Sequence, residues 1–217
     1  MIKRIKEVID SFVTNEKAEE ESPKLVIIDP AALQSAAQEE EPDSHLLGLF
    51  AEVVEEKIAE LIHALLLVSE DNKKKKEEDK KPIDFYLSTY GGSADDMFAL
   101  YDVMRIVREE QVIRTHGLGK VMSAGVLLLA AGTKGERRIA KNCRIMIHSV
   151  SAGNQGNIHD LVNELEAIEE LQKMYINCLV EETKMTESQL KKMLKRKVNV
   201  YLSAEQAIKL GIADEIL

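Results

Sequence analysis

From position 46 to the C-terminus, short apolar runs alternate with longer segments whose apolar residues recur at helical spacing. This alternation restricts the chain to α/β folds with largely parallel strands. The runs 46–50, 83–87, 112–115 and 143–147 have strand length. Between them, Val54, Ile58, Leu61, Ile62, Leu65 and Leu66 mark a first helix. Met97, Leu100, Tyr101, Met104 and Val107 form the buried face of a second over 94–109, with Asp95 and Asp96 in the first turn, where carboxylates suit the helix dipole. Residues 123–131 read as a short apolar helix and 157–182 as a long one. Thr186 with Gln189, and Ser203 with Gln206, have the spacing of capping boxes, and Gly211 follows the last short helix. Residues 71–81, acids and lysines with no apolar anchor, read as a solvated loop.

The first 44 residues do not share this pattern. Ile2, Ile5, Ile9 and Phe12 give a short helical stripe, 25–28 is a β-branched run suited to an edge strand, and acids and prolines fill the rest. The expected organisation is an N-terminal extension or arm over 1–44 and one domain over 45–217, since 217 residues suffice for one full core and are short for two.

Charge and composition remove several function classes. A net charge of −9 repels phosphate, so neither nucleic acid nor an anionic membrane is expected as a partner. Cys143 and Cys178 lack the paired spacing of a disulfide framework or zinc site, which suits a reducing cytoplasm. No stretch is apolar for long enough to be a signal peptide or membrane span. Without a metal-ligand cluster or a nucleotide-binding loop, no cofactor and no metal are expected.

Three segments at or after predicted strand ends carry chemistry: Tyr90-Gly91-Gly92-Ser93, residues 119–125, and Met146 to Ser149. Ser123 stands at a strand-to-helix turn, where a hydroxyl can be presented as a nucleophile, although a serine there is more often a helix cap. The glycine pair frees backbone amides, so those of Gly92 and Ala124 suit an oxyanion hole; a tight turn is the simpler reading of two glycines alone. His148 ends an apolar strand, where an imidazole needs a hydrogen-bond partner and can serve as a base. Cys143 lies an odd number of positions before His148 on the same strand, which points the two side chains to opposite faces and excludes a Cys-His pair.

Taken in order, Leu87-Ser88-Thr89-Tyr90-Gly91-Gly92-Ser93, Met122-Ser123-Ala124-Gly125, Met146-Ile147-His148, Tyr201-Leu202-Ser203-Ala204 and Gly211-Ile212-Ala213-Asp214 resemble the Clp protease proteolytic subunit over about 46–217. The resemblance implies a spiral of βαβ units of the Clp peptidase and crotonase type with a protruding handle helix. It also implies a serine endopeptidase acting on unfolded proteins and peptides, with Ser123 as nucleophile, His148 as base, and Gly92 and Ala124 amides as oxyanion donors. Two stacked heptameric rings, a tetradecamer held by the helix over 157–182, and a separate AAA+ unfoldase follow from the same resemblance.

Two positions depart from the family's pattern. Met122 precedes the nucleophile and Ala124 follows it, where the family usually has Met after the serine; the backbone donor is unaffected. The third triad position, Asp in the family, aligns with Asn199, which can accept a hydrogen bond from histidine but cannot neutralise an imidazolium. A weak or silent ring subunit that assembles with an active paralogue is therefore the alternative function. An acyl-CoA hydratase or isomerase of the related crotonase fold would not need the Ser-His pair.

Overall fold

Among the described residues seven strands share one sheet, and their largely parallel pairing brings the ends of three of them together. The computed structural model describes residues 45–153, 155–195 and 199–217. The predicted arm over 1–44, with its stripe from Ile2 and its strand at 25–28, lies outside the described residues.

The chain enters as β1 (Leu46–Leu49), followed by α1 (Glu55–Lys74), β2 (Ile83–Thr89) and α2 (Ala94–Arg108). Next come β3 (Ile113–Met122), α3 (Ala124–Ala130), β4 (Arg138–Ile139) and β5 (Arg144–Ile147). After the long α4 (Ile158–Glu182) the chain ends in α5 (Glu187–Leu194), β6 (Val200–Leu202), α6 (Ala204–Leu210) and β7 (Glu215–Ile216). The order β1-β2-β3-β4-β7 is parallel throughout, as expected from strands joined through helices. On its edge away from β2, the ten-residue β3 serves two neighbours: His116 and Gly117 pair with β4, while Lys120, Val121 and Met122 pair with β5. Among the described strands only β6 runs antiparallel, against β5. This mixed α/β architecture is the fold class read from the alternation of strands and helices.

The core is aliphatic. Leu87 and Ile113 from the sheet, Leu100 and Met104 from α2, and all of α3 are buried together. α3 is apolar on every side because it is enclosed on every side. A β-carbon at Gly125 would meet Thr89 Cγ2 at 2.5 Å, so glycine is what lets α3 lie this close to β2.

α4 behaves differently along its length. Tyr175, Ile176, Leu179 and Glu182 are buried, whereas Ile158, Leu161, Val162 and Leu165 are exposed. Its N-terminal part therefore protrudes as a handle with an uncovered apolar face.

Two sequence expectations need correction. The predicted loop over 71–81 begins inside α1: Asn72 is fully buried, donating to the Lys81 carbonyl and to Gln111 Oε1, so a charged run holds one anchored polar residue. The predicted strand 112–115 in fact runs from Ile113 to Met122, through Gly117 and Gly119. Both predicted capping boxes form, and Gly211 caps α6 at φ 74°.

Candidate active site

The C-terminal ends of β2, β3 and β5 lie side by side, with Thr89 paired to Val121 and Met122 to Met146. The next residues of the three strands therefore converge where parallel sheets build their sites. They are Tyr90-Gly91-Gly92, Ser123 and His148.

Ser123 is the only non-glycine residue with positive φ among those described, at φ 53° and ψ −122°. It precedes α3 without capping it, because its hydroxyl accepts nothing from the helix amides. A backbone strained in this way costs on the order of 1–3 kcal/mol and persists only where its surroundings enforce it. The Ser123 amide donates to the Met146 carbonyl at 2.8 Å, and the Tyr175 hydroxyl donates to the Ser123 carbonyl at 3.0 Å. The freed hydroxyl lies 2.8 Å from His148 Nε2. Both side chains are half-buried.

The glycine pair is held just as firmly. The Gly91 amide donates to Thr89 Oγ1, the Val53 amide donates to the Gly91 carbonyl, and the Ser93 amide donates to the Val53 carbonyl. Gly91 has φ 98°, and a β-carbon there would sit 2.5 Å from Ser123 Cβ. At Gly92 it would meet the Val53 carbonyl oxygen at 2.2 Å. Among the hydrogen bonds of the described residues, none uses the N–H of Gly92 or of Ala124. Both residues line the cavity that holds Ser123 and His148, a space of about 430 Å³ bounded also by Tyr90, Met97 and Tyr175.

Gly91→Ala is expected to lower kcat/KM for a short peptide about 10²-fold, since a misplacement of the nucleophile by about 1 Å has that effect. Circular dichroism should show the fold retained; unaltered kinetics would mean that Gly91 does not set the serine's position.

Asn199 is exposed, and among the described residues no hydrogen bond reaches His148 Nδ1. The β5–β6 ladder ends with Ile147 paired to Val200, so His148 and Asn199 each follow directly on its last pair. Cys143 is buried, and burial pushes its thiol up to about 11, away from a reactive thiolate.

Tyr175 was not among the candidates from sequence, where it was one more apolar position of a long helix. Its hydroxyl is driven above the usual phenol range by burial, so it stays a donor. Nothing in the spacing of residues distinguishes a tyrosine that reaches a nucleophile's carbonyl from one that only fills space.

The Clp protease family model matches residues 46–217. The chain belongs to the Clp protease family. It is 34% identical over 137 residues to the "ATP-dependent Clp protease proteolytic subunit 1" of Corynebacterium glutamicum and of Corynebacterium diphtheriae. The same identity and length hold for subunit 2 of Corynebacterium jeikeium. Each match covers 63% of this chain and 64% of the relative, so the chain spans just under two thirds of the length of the relatives it matches. Among the described residues of this Clp family member, no helix is long and apolar enough to cross a membrane.

Proposed function

We propose that this chain is a serine endopeptidase subunit that cleaves unfolded polypeptides through a covalent acyl-enzyme at Ser123. The observation that carries the reading is the 2.8 Å contact between Ser123 Oγ and His148 Nε2 beside two unengaged amides.

With the proton on Nδ1, His148 Nε2 accepts the hydroxyl proton as Ser123 Oγ attacks the peptide carbonyl carbon. The carbonyl oxygen becomes an oxyanion held by the N–H groups of Gly92 and Ala124. Collapse breaks the C–N bond; His148 returns its proton to the leaving amine, and the acyl group stays on Ser123. Water then attacks the ester with the same base and releases the carboxylic acid. Asn199, which directly precedes β6, serves as third member of the triad by accepting the Nδ1 proton in a hydrogen bond.

The exposed apolar face of α4, with Ile158 77% and Leu165 56% exposed, supports self-association into heptameric rings stacked as a tetradecamer. A ring that encloses Ser123 admits unfolded chains, for which a cytoplasmic AAA+ unfoldase is the matching partner. The relatives' names, as proteolytic subunits of an ATP-dependent protease, are in keeping with this assignment.

One observation favours a second reading, a weak or silent subunit that gains activity beside an active paralogue: Asn199 makes no hydrogen bond to His148. Hydrolysis of a fluorogenic peptide by the purified chain, lost in Ser123→Ala, is the expected result and decides for the first reading. No hydrolysis until a paralogue is added decides for the second.

A further inference from the structure

The cavity at Ser123 is uneven in charge. Its lining includes two carboxylates, Asp95 and Glu164, and neither a lysine nor an arginine. Among the described residues neither carboxylate takes part in an ion pair or hydrogen bond. Asp95 has a structural reason to be acidic, since it lies in the first turn of α2. Glu164 does not: it lies in the second turn of α4, half-buried at the cavity wall.

Glu164, Ile168, Leu171 and Tyr175 recur at helical spacing and all line the cavity, so they form one face of α4. Tyr175 marks the nucleophile through its bond to the Ser123 carbonyl. Leu171 and Ile168 follow as apolar wall, and Glu164 ends the row. At about 1.5 Å of rise per residue, Glu164 lies roughly 16 Å along the helix from Tyr175. An extended peptide advances about 3.3 Å per residue, so a long side chain about three residues from the scissile bond spans that distance.

We propose that Glu164 is a specificity residue: the groove takes a lysine or arginine side chain roughly three residues from the scissile bond and disfavours an acidic one there. The side-chain chemistry fits the row. A lysine or arginine lays its methylenes on Ile168 and Leu171 and delivers its charge to the carboxylate, whereas an acid meets an unpaired like charge. The inference rests on Ser123 as the point of cleavage.

The test uses fluorogenic octapeptides that differ at one position, carrying lysine, norleucine or glutamate, moved through the four positions on either side of the bond. The expected result is a lysine-to-glutamate ratio in kcat/KM of about tenfold, largest near the third position and smaller at high salt. The ratio should fall to about twofold or less in Glu164→Gln and invert in Glu164→Lys. A ratio near one at every position, or one unchanged in both variants, overturns the proposal. Fluorescence anisotropy of the same peptides on Ser123→Ala protein, with and without Glu164→Gln, separates the two claims. If no peptide is cleaved by the unsubstituted chain but Glu164-dependent preference for lysine persists in binding, the serine-peptidase reading fails and the specificity stands. If peptides are cleaved without charge preference, the specificity fails alone.

Discussion

Replacing His148 with alanine is expected to slow peptide hydrolysis on the order of 10²-fold, far less than in a serine protease with a complete triad. In a well-characterised enzyme, loss of the histidine costs about 2 × 10⁶-fold and loss of the aspartate alone about 3 × 10⁴-fold, because the three groups act as one unit. With Asn199 in the aspartate's place, as proposed above, the carboxylate's part is already given up, so roughly 10² remains for His148 to contribute. The complementary variant runs the other way. On the same proposal, Asn199→Asp should raise turnover tenfold or more by stabilising the imidazolium. Single-turnover rates on one peptide for both variants check the pair of expectations. A loss near 10⁶-fold in His148→Ala would mean that a carboxylate from elsewhere completes the triad, and unchanged turnover in Asn199→Asp would remove residue 199 from it.

Glu182→Ala is expected to destabilise the domain by about 3–5 kcal/mol, the usual consequence of removing one partner of a largely buried ion pair. Glu182 ends α4 with its side chain 1% exposed, and accepts hydrogen bonds from both terminal nitrogens of Arg108 at 2.6 and 2.8 Å and from the Tyr101 hydroxyl at 2.9 Å. Arg137, also buried, donates to the Glu182 carbonyl and pairs with Asp214. For a domain of this size the melting temperature should fall by about 6–20 °C.

The same carboxylate gives a signed pH dependence. Burial alone would raise its pKa, but the hydrogen bonds from Arg108 and Tyr101 outweigh it and hold the group below its ordinary value of 4.5. Its contribution is therefore fully present above pH 4.5 and is lost as pH falls through the lower, folded-state value. Asp214, which burial would also raise, is kept below its ordinary 3.8 by Arg137 and backbone amides, with the same sign. Acid melts should show Glu182→Gln less stable at neutral pH and flatter below pH 4.5. A variant that kept the parent's acid slope would show that Glu182 is not the titrating group.

The site's parts were visible in the sequence to the extent that each rests on one backbone segment. The alternation of apolar runs and helical stripes gave the α/β layers, and the capping boxes at Thr186 and Ser203 formed because both partners lie three residues apart. Taken singly, Ser123 had the simpler reading of a helix cap and His148 that of a hydrogen-bonded strand end; what joined them was the order of the motifs around them. Contacts between distant segments left no such mark. The strained φ of Ser123 depends on the Met146 carbonyl and the Tyr175 hydroxyl, 23 and 52 positions away in sequence. Likewise, the buried Asn72 inside a lysine-rich run is explained only by Gln111, on the far side of β2 and α2. Local propensity cannot encode a partner that only the sheet register supplies.

The central claim is that a histidine-activated hydroxyl at position 123 faces two main-chain donors. Reaction of the purified chain with a fluorophosphonate, followed by mass spectrometry of the digested protein, tests it most directly. One adduct is expected, on Ser123, absent in Ser123→Ala and formed far more slowly in His148→Ala. An adduct that persists in Ser123→Ala, or a rate indifferent to His148, would contradict it.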